Sequence, residues 1–137
     1  VIALGLLNLV AYTLCYAILG GDAHNGYRKL VQDADGNEHF TYIVRGHHVR
    51  NLAGVETEVS RPAWIYSYLH SITVPLTSGA LIISMLVLAR PHIIATMRDS
   101  RVRGRTFVLA FGAAVVLASC LATFVLAASF IAQMRMS

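Results

Sequence analysis

TFVLAFGAAVVLASCLATFVLAASFIAQM, residues 106–134, contains no charged side chain. A helix needs roughly 20 predominantly apolar residues to cross the hydrocarbon core of a bilayer, so this run is long enough to span. Two more runs share the property: Val1–Gly21 and Pro62–Ala89 also lack any Asp, Glu, Lys or Arg. In lipid such segments must be helical, because the backbone finds no water to bond with. The first run has no positive region ahead of it at Val1, so it reads as a membrane helix and not as a secretory signal.

Composition agrees with this reading. Of 137 residues, 56% are hydrophobic and 13% charged, against about 25% charged in soluble domains. So few charges leave too little polar surface to cover a water-soluble globule. The formal charge of +4 does not point to nucleic acid, because the basic residues gather between apolar runs, where topology accounts for them. The two cysteines, Cys15 and Cys120, sit inside apolar runs and read as small hydrophobes.

The expected architecture is therefore an all-α membrane protein, one membrane domain over 1–137 with spans at about 1–21, 64–89 and 106–134. Orientation follows from the short connection, 90–105, where Arg90, Arg98, Arg101, Arg103 and Arg105 face Asp99 alone. Positive residues stay cytoplasmic, which places this loop and the N-terminus inside. The 22–63 loop and the C-terminus then lie outside, in a multi-pass protein of the cell inner membrane. Trp64, Tyr66 and Tyr68 mark the outer entry of the second span. Pro75 predicts a kink, with Thr73, Thr77 and Ser78 available to satisfy the freed backbone groups.

The outer loop is about 40 residues, too long for a mere connector. Tyr27–Gln32 and His39–Val44 are rich in strand formers, and Asp35-Gly36 between them predicts a β-hairpin. Glu56–Ser60 reads as short and extended or irregular. On the third span, Ala110, Ala114, Ala118 and Ala122 recur every four residues. That small-residue stripe lets a neighbouring helix approach closely, from this chain or from another subunit.

Four of the six histidines, His24, His39, His47 and His48, lie in the outer loop; His70 lies within the second span and His92 beyond its cytoplasmic end. His70 is the leading candidate. Tyr66, His70, Thr73 and Thr77 share one helical face and form a polar stripe on an apolar helix. Ionisable groups inside a membrane are costly and usually functional. His70 reads either as a haem or copper ligand or proton-relay group, or as a neutral imidazole bonded across helices. With His24 it forms the candidate cofactor pair. His24, His47, His48 and His70 form the candidate metal set, since imidazoles at the outer face suit copper, zinc or haem iron. The first and third spans hold no histidine, which counts against a haem held wholly within this chain's helices. Asp22 and Glu38 read as lone loop charges, and no catalytic motif is present.

The stretch Arg61-Pro62-Ala63-Trp64-Ile65-Tyr66-Ser67-Tyr68-Leu69-His70, followed by Val74-Pro75-Leu76, carries a resemblance. It resembles a family of small multi-helix membrane proteins of bacteria and archaea associated with cytochrome c oxidase assembly. There, a basic residue and an aromatic precede an in-membrane histidine, and an apolar run with proline follows. His92 and His24 match two further histidine positions. The outer loop is longer here, and the last span lacks that family's aromatic pattern. The resemblance implies an accessory or assembly role around a haem–copper oxidase. The expected function is a non-enzymatic accessory subunit of a respiratory or photosynthetic electron-transport complex, partnered by lipid and by other membrane subunits. The alternatives are a haem- or copper-binding protein for electron transfer or oxidase metallation, and a cofactor-free scaffold.

Overall fold

The computed structural model describes residues 1–34, 36–47 and 54–135. Among these, three helices are long and apolar enough to cross a membrane. They are α1 (Ile2–Leu19), α2 (Arg61–Thr96) and α3 (Gly104–Arg135). Their outward faces are apolar: Leu4, Leu117 and Phe124 are each about 70% exposed, a surface suited to lipid and not to water.

Two helix boundaries have a clear local cause. Gly20, at φ 78°, takes the left-handed conformation that ends α1, and its N–H returns to the Tyr16 carbonyl. The second helix starts three residues before the expected span, because the Ser60 side chain accepts from the Ala63 N–H and Pro62 fits the first turn. It then runs on past Arg90, so the connection to α3 shrinks from the expected 90–105 to 97–103. Charge-free counting finds only the apolar part of a helix, and charged residues here continue it. The helix also passes through Pro75 and Pro91. Thr73 and Thr77 donate to the carbonyls of His70, Thr73 and Val74, not to the Ser71 carbonyl that Pro75 leaves free.

The segment between α1 and α2 holds a three-stranded antiparallel sheet where a hairpin was expected. Its strands are β1 (Asp22–Gln32), β2 (Glu38–Arg45) and β3 (Glu56–Val59), in that order. The hairpin lies within it: Tyr27 pairs with Ile43 and Gln32 with Glu38. Asp35 of the turn lies outside the described residues. Strand β3 adds Tyr42 opposite Val59 and Arg45 opposite Glu56. A hairpin alone is marginal, and a third strand with a packed face supplies what it lacks.

Strand periodicity turns Tyr42, Val44 and Val59 toward the helices. There they join a core of Ala23, Val44, Trp64 and Tyr68, with Phe130 and Met134 arriving from α3. The Trp64 ring lies 5.2 Å from Tyr68, 5.7 Å from Tyr42 and 6.4 Å from Phe130. Arg28 of β1 closes the far side, over the Phe40 ring and hydrogen-bonded to the Gln133 carbonyl near the end of α3. Across the central strand Tyr27 of β1 donates to Glu56 of β3, and this bond raises the phenol above its ordinary range.

Between α2 and α3 the tightest approach is Gly79, where an added Cβ would meet the Ser119 hydroxyl at 2.1 Å. The alanine stripe is not that seam. Ala110, Ala114 and Ala118 are exposed, and only Ala122 is half-buried.

Candidate functional site

Asn8, Tyr12 and Tyr16 recur every four residues on α1 and so share one face. That face meets the polar stripe of α2. The Asn8 Nδ2 group donates to Thr77 at 2.8 Å and to Thr73 at 3.2 Å, and its Oδ1 lies 3.2 Å from His70 Nε2. Tyr12 and Tyr66 flank the His70 ring edge-on, each with centroids 5.6 Å away.

This geometry sets the orientation of the Asn8 amide against His70. The Thr73 and Thr77 hydroxyls already donate their protons to backbone carbonyls. From Asn8 they can only accept, which fixes the amide with Nδ2 toward them and Oδ1 toward the ring. Oδ1 accepts only, so the hydrogen sits on Nε2. The other nitrogen, Nδ1, is buried and has no hydrogen-bond partner, on a residue 9% exposed. A buried polar atom without a partner costs free energy. Alongside the seam runs a groove of about 500 Å³. Its walls are Leu4, Leu7, Ala11 and Leu69, and Asn8, Tyr66 and His70 form its polar part.

A second polar cluster lies at the outer end of α1. Asp22, only 3% exposed, accepts from the Tyr12 hydroxyl at 2.8 Å and from the Asn25 backbone and side chain at 3.0 and 2.9 Å. It is therefore no lone loop charge; the carboxylate ties α1 to the first turn of the sheet. The register slip between Asp22 and Tyr27 makes this possible by folding Ala23–Gly26 out of the regular ladder. Asn25 Nδ2 also lies 3.2 Å from His47 Nε2; an amide nitrogen only donates, so that ring nitrogen accepts. Tyr12, Asp22, His24, Asn25 and His47 border a second cavity of about 320 Å³.

The expected histidine ligands are thus divided. His70 belongs to the interhelical seam, while His24 and His47 border the outer cavity. His24 Nδ1 sits 3.4 Å from the Tyr68 hydroxyl. His48 lies outside the described residues. Among the described residues, no group of three or more His, Cys, Asp or Glu side chains comes together to hold a metal ion. What His70 offers a cofactor is one imidazole, with any further ligand coming from elsewhere. His39 instead contacts Asp33 at 3.4 Å, and His92 is exposed.

Sequence reasoning passed over Asn8 and Tyr12 because the first span was searched for charge and histidine. The available signal was an amide four residues before a tyrosine inside a charge-free run.

Replacing Asn8 with leucine removes the hub of the seam and leaves Nε2–H without its acceptor. Such interhelical bonds contribute about 0.6 and at most about 1.7 kcal/mol each in membrane bundles. The expected result is a destabilisation of about 1–2 kcal/mol in a thermal melt. Nitrogen NMR of the His70 ring should show the Nε2–H tautomer in the parent chain and a mixture in Asn8→Leu.

Compared with known proteins, the chain matches no family model, no curated protein and no solved structure. What defines it is the arrangement itself: three helices that can cross a membrane, a polar seam between two of them, and a sheet over one end.

Proposed function

We propose that this protein is a non-catalytic accessory subunit of a membrane energy-converting complex, respiratory or photosynthetic. It sits in the cell inner membrane with the 97–103 turn toward the cytoplasm and the sheet outside. The observation that carries the reading is the open alanine stripe. Packing within the chain uses Gly79 against Ser119, yet Ala110, Ala114 and Ala118 remain exposed. Small residues at four-residue spacing let a foreign helix come close. The electron-transport setting comes from the resemblance around Arg61–His70.

The test is purification of the tagged chain from native membranes in mild detergent, beside Ala114→Leu/Ala118→Leu. Large membrane subunits should accompany the parent chain and be lost from the variant, whose own melt stays unchanged. A parent chain that purifies alone, or only with copies of itself, overturns the reading.

A second reading, a haem- or copper-binding protein, is favoured by the unpartnered Nδ1 of buried His70. It requires a Soret band or stoichiometric copper that disappears in His70→Ala. Absence of both, with no co-purifying subunit, leaves a cofactor-free scaffold.

A further inference from the structure

We propose that the turn between α2 and α3 is a binding surface for anionic phospholipid headgroups. Arg90, Arg98, Arg101, Arg103 and Arg105 are all exposed, and Asp99 is the only acid among them. One contact crowds them together. Gly104 opens α3 directly against the α2 backbone, so close that an added Cβ would lie 2.7 Å from Ile94 Cα. Arg103 and Arg105 flank that glycine, and Arg90 stands one turn before Ile94 on the other helix. This contact holds the two helix ends side by side.

Among the described residues none of these arginines forms an ion pair. The only acid–base contact among the described residues, His39 with Asp33, lies in the sheet at the opposite end. Five exposed guanidinium groups against one carboxylate, on one short turn and the helix ends beside it, draw counter-charge from outside. At the end of two helices that can cross a bilayer, the adjacent negative groups are lipid phosphates. Guanidinium forks match phosphate oxygens in bidentate fashion. Each arginine near an anionic surface strengthens binding about fivefold. The inference rests on the membrane reading of the helices and is independent of any partner complex.

The test uses the purified full chain in detergent, titrated with phosphatidylglycerol or with phosphatidylcholine, with bound lipid counted by native mass spectrometry. The parent chain should retain phosphatidylglycerol in preference to phosphatidylcholine. Arg98→Gln/Arg101→Gln/Arg103→Gln should weaken that retention roughly a hundredfold with an unchanged thermal melt. The matching triple lysine variant should keep most of it, and Arg45→Gln, in the sheet, should keep all of it. Equal retention of the two lipids by the parent chain overturns the proposal. So does full retention of phosphatidylglycerol by the triple glutamine variant, including the case where that variant instead loses an acidic protein or a nucleic acid.

Discussion

Trp64→Ala is expected to destabilise the outer half of the molecule by about 3–5 kcal/mol, the usual cost of emptying a large aromatic site. The indole is fully buried and is the hub of the cap, touching Tyr42 from the sheet, Tyr68 from its own helix and Phe130 from α3. Its removal leaves a hole bordered by three separate elements. None can fill it alone, because each is held in place by hydrogen bonds of its own. Limited trypsin digestion reads the effect directly. Arg28, Lys29 and Arg45 lie in the strands and should become cleavable, while helical circular dichroism stays near the parent value. Trp64→Phe should recover most of the protection. Parent-like digestion of Trp64→Ala would show that the sheet does not depend on this core.

Gly26→Ala is expected to cost about as much, by a different route. An added Cβ at Gly26 would stand 1.8 Å from the Ile43 carbonyl oxygen and 2.9 Å from Val44 Cα. Those are backbone atoms of the paired strand, so no side chain can swing aside. The strands must separate, and overpacking of this kind costs about 3 kcal/mol or more. Gly36→Ala is the matched control. Gly36 has φ 81° but nothing within 4 Å of an added Cβ, so only conformational strain of about 1 kcal/mol applies. The measurement is hydrogen exchange across β1 and β2. Gly26→Ala should lose protection there, and Gly36→Ala should lose far less. The reverse order would refute the close-approach argument.

The helices were legible because absence of charge over 20 or more residues has one physical solution in lipid. The Asp35-Gly36 turn likewise announced its hairpin. Strand β3 was harder. Glu56-Thr57-Glu58-Val59 is short and half acidic, and only its alternation, with Val59 turned to the core, hints at a strand. The polar stripe on α2 was read correctly as one face, but its partner was not. Asn8 is uncharged and carries no motif, so its role appears only when α1 lies against Thr73 and Thr77. The outer cavity was illegible for a related reason. Asp22 and His47 meet Asn25 only through an irregular strand register, which no local pattern encodes.

The Arg28 clasp on α3 bears on biogenesis. Phe130, Met134 and the Gln133 carbonyl all belong to α3, yet they complete a core begun by Ala23 and Arg28, more than a hundred residues earlier in the chain. During translation the sheet therefore leaves the ribosome long before the helix that finishes it. Until α3 is in place, Trp64 and Tyr68 lack the Phe130 ring that covers them. The contact of α3 with the sheet is a long-range one, of the kind that slows folding.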